Sequence, residues 1–230
     1  MPVEEDTLIS CRFYPASQKA PSILHFHAGS ETVSCYNKVV PFYKESGVNW
    51  FVASYRGYGQ SGGTPSFSNI VSDSHIIFEY FRMILKAGGY ASPIYVMGKS
   101  LGSLYATELA VRYPKDLKGL IIENGYEGIA MLLAYLGLLY TCTPIQDRMQ
   151  ADLEKLRGVT IRTLIIHGEC KEYTPFKRSL SIYDNIGSQY KKLLPIPNLG
   201  DYTSLIKDME GYFRAQEQYF QAIKEFVSSG

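Results

Sequence analysis

Short apolar runs, each closed by turn residues and separated by longer stretches of helical spacing, are what most limits the folds open to this chain. The runs are "TLISCRFY" (7–14), "SILHFH" (22–27), "WFVASY" (50–55), "PIYVMG" (93–98), "LKGLIIE" (117–123), "IRTLIIHG" (161–168) and "KKLLPI" (191–196). Most are apolar throughout rather than alternating, as strands covered on both faces should be. Helical spacing marks 35–46, 67–87, 101–113, 175–187 and 207–227. Strand and helix in turn predict an α/β fold, a mainly parallel sheet flanked by helices. The stretch 127–157 interrupts the alternation and reads as a helical insertion. With 230 residues and no linker, repeat or low-complexity tract, the expectation is one domain over 1–230.

Composition excludes several classes of function. A net charge of +1 supplies no field to recruit nucleic acid or an anionic membrane. The acidic start "MPVEEDTLIS" lacks the basic-then-apolar order of a signal peptide. The greasiest run, "IAMLLAYLGLLYTC" (129–142), is too short to span a bilayer and reads as a buried or pocket-covering helix, with peripheral membrane contact as the lesser alternative. Four cysteines without Cys-x-x-Cys spacing argue against a zinc or redox site and fit a reduced, cytoplasmic setting. No metal or cofactor is expected, and oligomeric state is not legible.

In open parallel sheets, sites gather where strands end. After the run ending at Met97 comes Gly98-Lys99-Ser100-Leu101-Gly102, then the helical "SLYATELAVRYP". This is Gly-x-Ser-x-Gly in strand–turn–helix context, with Gly98 and Gly102 allowing the sharp turn that presents Ser100 as a nucleophile. The N–H of Leu101 faces the same pocket, and Gly29 in "HFHAGSE" (25–31) is the candidate for a second oxyanion donor. His25, within its run, is expected in the core, and His27 is expected to hold the loop by hydrogen bonding. The glycine-rich "YRGYGQSGGTPS" (55–66) lacks both the dinucleotide fingerprint and the Gly-Lys-Ser/Thr of a phosphate loop, so a pocket rim is the better reading.

In this order, the His-Ala-Gly loop, the Tyr-Arg-Gly-Tyr-Gly-Gln-Ser loop and the Gly-Lys-Ser-Leu-Gly elbow resemble the α/β-hydrolase superfamily, specifically its small esterase-like branch, over nearly the whole chain. The resemblance implies an eight-stranded-type sheet lacking its first strand, a helical cap at about 127–157 and a small apolar acyl or ester ligand. Ala28 stands where the family favours glycine, and Ser54 where an acid is common. Larger departures follow. The family's acid position, in "HGECKEYTP" (167–175), holds Lys171, and its histidine position, in "IPNLGDYTSL" (196–205), holds Asp201.

Neither replacement serves Ser100 well. Asp201, ionised at neutral pH, gains little by taking a hydroxyl proton, and Lys171 is a base only when neutral. Glu127, Glu169 and Glu172 are nearby acids, yet an acid without an imidazole to orient has no task. One reading pairs Lys171 with Asp201, and the other leaves both as solvent-facing loop charges. A lysine facing solvent or a neighbouring loop is the reading of Lys99. Two functions stay open. One is an ester or thioester hydrolase with weak or absent activity, and the other is a non-catalytic ligand-binding or protein-interaction module on the same scaffold.

Overall fold

The structure is a computed structural model, and it describes residues 1–4, 7–137, 145–169, 175–197, 199 and 209–229. Its strands in chain order are β1 (Pro2–Glu4), β2 (Thr7–Leu8), β3 (Cys11–Tyr14), β4 (Ser22–Phe26), β5 (Asn49–Ala53), β6 (Ile94–Lys99), β7 (Gly119–Glu123), β8 (Arg162–Glu169) and β9 (Lys191–Pro197). The α-helices are α1 (Val40–Glu45), α2 (Ile70–Ala87), α3 (Gly102–Arg112), α4 (Ile129–Tyr135), α5 (Ile145–Arg157), α6 (Phe176–Asn185) and α7 (Met209–Ser228). A seven-stranded sheet runs β3-β5-β4-β6-β7-β8-β9, and only its edge pair β3–β5 is antiparallel.

Burial explains the continuous apolar runs. Along β4, Ile23 packs with Trp50, Tyr95 and Met97 on one face, while Leu24 and Phe26 pack with Phe51 and Val96 on the other. The first face is covered by α1 and α7 through Tyr43, Tyr219 and Ile223. The second is covered by α2, α3, α5 and α6 through Phe78, Phe81, Leu109, Leu156 and Ile182. Every strand residue of β4, β5 and β7 is buried, so neither face has room for a polar alternation.

Two expected elements are broken by local chemistry. The run 7–14 splits into β2 and β3, because the Ser10 N–H donates to Ser61 Oγ (3.0 Å) rather than to a ladder. Leu8 O meanwhile accepts from Gly62 N (2.8 Å), tying β2 to the glycine-rich loop. The stretch expected as one helix over 35–46 is a 3-10 turn (Val33–Lys38) followed by α1. Pro41, near the start of α1, has no N–H to donate back into the preceding turn, and its ring excludes a continuous helix there.

Between β7 and β8 the chain forms α4, which lies over the strand ends, and α5, which returns to pack on α3 and α6. No helix among the described residues is long and apolar enough to cross a membrane.

Strand order places the site. From β4 the chain moves outward to β5, then jumps back across β4 to lay down β6 on its other side. The carboxyl ends of β4 and β6 therefore diverge into loops on opposite sides, opening a crevice between them. Packing of α3 against this centre is tight, and Leu109 is fully buried between α3 and the sheet. Leu109→Ala is expected to lower unfolding stability by about 2–5 kcal/mol in urea titration, without changing the fold by circular dichroism.

Candidate functional site

The elbow is built by close approach. A Cβ on Gly98 would lie 2.3 Å from the Gly102 carbonyl oxygen, and one on Gly102 would lie 2.1 Å from that of Phe26. Only glycine allows β6, α3 and the end of β4 to meet at this distance. Between them Ser100 adopts φ +50°, a left-handed conformation rare for a side-chain-bearing residue and typical of strained functional turns. It is held there from both directions. Its N–H donates to Glu123 O (2.8 Å), and its carbonyl accepts from Ser103 N (3.0 Å) and Ser103 Oγ (2.7 Å).

Ser100 opens on a cavity of about 610 Å³, whose lining includes Gly29, Leu101, Tyr55, Tyr58, Tyr105 and Tyr126. Gly29 and Leu101 are neighbours, since a Cβ on Gly29 would lie 3.4 Å from the Leu101 side chain. Neither of their N–H groups makes a hydrogen bond within the protein among the described residues. The structure thus gathers Ser100, Gly29 and Leu101 at one cavity, with Gly98 and Gly102 shaping the turn.

Much of the cavity lining is aromatic. Tyr55 packs on Tyr105 (4.6 Å between centroids) and meets Tyr58 edge-on at 5.3 Å. Burial pushes the phenol of Tyr55 well above its usual range, so it stays a neutral donor to the His27 carbonyl. Leu132 and Leu136 of the α4 segment close the apolar side. One charged feature stands in this wall. Arg56, from the glycine-rich loop, makes two 2.7 Å bonds to both oxygens of Asp73 on α2, and both residues are buried. A paired, bidentate geometry is what makes such a burial tolerable.

Each of the four histidines has other work. Trp50 Nε1–H donates to His25 Nδ1 (3.2 Å), and desolvation in the core lowers the His25 pKa to about 3. His27 Nδ1 is 2.8 Å from Ala28 O, which can only accept, so Nδ1 carries the proton and Nε2 accepts from Ser54 Oγ (3.0 Å). Ser54, the departure noted before Tyr-Arg-Gly, is therefore the partner of a neutral ring, which burial favours. His75 Nδ1 lies 3.0 Å from Tyr113 OH on the helical flank, and His167 Nδ1 lies 2.9 Å from Ser179 Oγ. Among the described residues nothing hydrogen-bonds Ser100 Oγ. Lys171 and Asp201, and any pairing between them, lie outside the described residues, as does Glu172. Glu127 is buried, and its Oε2 has no hydrogen-bond partner among the described residues. Among the described residues no cluster of metal-ligating side chains occurs.

Sequence reasoning missed four contributors: Glu31, Glu123, Asn124 and the charge role of Lys99. Lys99 Nζ is 2.9 Å from Glu31 Oε1 and 3.4 Å from Glu123 Oε1. Its cross-strand neighbour in the parallel register is Glu123, and register is not legible from one sequence. Asn124, at φ +46°, accepts Gly168 N–H on Oδ1 (2.9 Å) and so ties the end of β7 to that of β8. Its signal was present in "ENG", since asparagine tolerates this region better than most residues.

A nucleophile elbow on a switch-point crevice defines an α/β-hydrolase, and comparison with known proteins agrees. The model of the family described as Serine aminopeptidase, S33, matches residues 17–134, just over half of the chain, and the chain belongs to that family. It is 27% identical over 218 residues to protein bem46 of Schizosaccharomyces pombe, covering 92% of this chain and 68% of bem46. It is 26% identical over 193 residues to the lysophosphatidylserine lipase ABHD12 of Danio rerio, covering 75% of this chain and 49% of that one. In fold it is similar to a soluble variant of monoglyceride lipase from Saccharomyces cerevisiae, with TM-score 0.72, 15% identity, and 98% and 92% of the two chains covered.

The buried imidazole of His25 gives a pH signature. Its folded pKa lies below the unfolded value of 6.5, so the unfolded chain binds the extra proton between these limits. Its contribution is complete above pH 6.5 and is lost as pH falls towards 3. Urea unfolding measured from pH 6.5 to 4.5 should show stability falling with acid. His25→Phe should flatten that slope by up to about 1.4 kcal/mol per pH unit, whatever its effect at neutral pH.

Proposed function

We propose that the protein is a serine-hydrolase scaffold of the carboxylic ester or thioester type, with Ser100 as nucleophile, the Gly29 and Leu101 amides as oxyanion donors, and weak or absent turnover. The observation that carries this reading is the strained φ +50° of Ser100, beside two unengaged amides, at the edge of an apolar cavity. Strain of about 1–3 kcal/mol at such a residue is sustained by the packing and hydrogen bonds around it, and strain of this kind clusters at sites kept for chemistry or binding.

In this reading Ser100 Oγ attacks the acyl carbonyl, and the developing oxyanion is met by the two N–H groups. The aromatic wall and α4 hold a small apolar acyl group, which agrees with lipid esters as the substrates named for ABHD12 and monoglyceride lipase. What is missing is a proton acceptor. With Lys171 and Asp201 at the acid and histidine positions, the elbow lacks an imidazole, and the four histidines are committed elsewhere. Oxyanion donors and binding alone leave about 10³–10⁴-fold acceleration over water in related triads. Activated esters are then turned over slowly, and amides are not.

That same commitment of every imidazole favours the second reading, a non-catalytic module that keeps the cavity for an acyl-bearing ligand. A fluorophosphonate probe separates the two. Slow labelling that Ser100→Ala abolishes supports the hydrolase reading, and no labelling of the wild type supports the binding module. Lys171→Asp combined with Asp201→His should raise hydrolysis of a 4-nitrophenyl ester by about 10²–10⁴-fold, the usual worth of general acid–base assistance. A folded double variant with unchanged turnover would show that more than the two partners has been lost.

A further inference from the structure

The cavity face of the elbow is apolar, but directly behind it lies a compact charged cluster that the proposed chemistry does not use. Lys99 is the residue before Ser100 and ends β6. Its side chain is only 27% exposed, and its ammonium stands between Glu31 Oε1 at 2.9 Å and Glu123 Oε1 at 3.4 Å. Glu31 belongs to the oxyanion loop, two residues after Gly29. Its second oxygen, Oε2, accepts the Ala28 N–H (3.0 Å) and the hydroxyl of Tyr36. Glu123 Oε2 accepts from Tyr219 OH on α7 (2.7 Å), and Tyr219 OH meets Tyr43 OH at 3.3 Å.

One carboxylate therefore joins the backbone immediately before one oxyanion donor to the side chain immediately before the nucleophile. We propose that Lys99 and Glu31 are positioning residues, an ion-pair latch that sets the oxyanion loop against the elbow and so fixes where the Gly29 amide stands relative to Ser100 Oγ. This rests on Ser100 acting as the nucleophile.

Three physical arguments support the latch. Within the loop Ala28–Glu31, Glu31 N–H donates to Ala28 O (3.0 Å), which also accepts from His27 Nδ1 (2.8 Å), while Glu31 Oε2 is held by Ala28 N–H and Tyr36. The Lys99–Glu31 ion pair is what ties this loop to the elbow. The pair is partly shielded, with the two side chains 27% and 22% exposed, where a charge-assisted bond is worth more than on an open surface. Burial alone would raise the Glu31 pKa, but Lys99 together with the Tyr36 and Ala28 bonds holds it down at about 2, so the latch stays charged at neutral pH. Without the ammonium, Glu31 and Glu123 are left as like charges sharing one corner, and the loop is the part free to move away.

The test is Lys99→Met, with Lys99→Arg as the conservative rescue and Glu31→Gln as a second variant should Lys99→Met fail to fold. Fluorophosphonate labelling is measured well below the melting temperature, separating the maximal rate from the half-saturating probe concentration. Backbone hydrogen exchange is followed at residues 28–31. Expected for Lys99→Met are a maximal rate lower by about 10- to 100-fold, a half-saturating concentration within about twofold of wild type, and faster exchange at 28–31. Lys99→Arg should return both readouts towards wild type. A residue of merely structural worth would lower the melting temperature and leave the labelling rate and local exchange alone. The latch is overturned by a maximal rate within about twofold of wild type, or by unchanged exchange at 28–31. Should the wild type not label above Ser100→Ala, the nucleophile reading has failed instead. The latch is then decided by exchange alone, with faster exchange in Lys99→Met supporting it and unchanged exchange refuting it.

Discussion

The near-contact of three backbone segments at the elbow is the constraint on which the rest of the structure depends. Gly98, Gly102 and the Phe26 carbonyl approach so closely that a single methyl at either glycine has nowhere to go. That approach forces Ser100 into the left-handed region and points the first turn of α3 at the crevice between β4 and β6. The cavity is then completed by whatever leaves the neighbouring strand ends. From β4 come the Gly29 loop, from β5 the glycine-rich loop with Tyr55 and Tyr58, and from β7 the helix α4.

The two sides of this elbow are solvated in opposite ways. Towards the cavity the surface is aromatic and aliphatic, interrupted by one internally neutralised pair, Arg56 and Asp73. Behind it lie Lys99, Glu31 and Glu123, bordered by Tyr36, Tyr43 and Tyr219, whose phenols burial keeps neutral. Seven of the 19 tyrosines stand here and on the cavity wall, where a ring fills space and a hydroxyl can satisfy a buried acceptor. The imidazoles follow the same logic. His25 and His27 are kept neutral by burial and are each engaged in a fixed hydrogen bond, and no imidazole is hydrogen-bonded to Ser100 Oγ among the described residues.

How much of this was legible follows from where the information lies. Strands β4 to β9 and helices α2, α3, α6 and α7 fall where apolar runs and helical spacing placed them, because burial on both faces of a sheet writes itself into local composition. The exceptions are local in sequence yet depend on distant groups. The break between β2 and β3 follows from Ser61, 51 residues on from Ser10, and Asn124 does its work on Gly168. Pro41 was visible as a helix breaker, and the split at α1 was available to a stricter reading. The charged cluster was not, since Lys99, Glu31 and Glu123 meet only once strand order and register are known.

By itself the sequence determined the α/β class, the turn that carries Ser100 and the glycines that turn requires, and it put Lys171 and Asp201 where the family resemblance leads one to expect an acid and a histidine. These are matters of composition, short-range sterics and residue type, and they survive any rearrangement of the strands. Only the tertiary structure decided that the β4–β6 crevice is the place where Ser100, Gly29 and Leu101 share a cavity, that each histidine is bonded elsewhere, and that Lys99 behind the serine is paired with Glu31. Those outcomes depend on the order in which strands lie side by side. Hydrogen bonds and ion pairs act over a few ångströms of space, and distance along the chain says nothing about which groups will come that close.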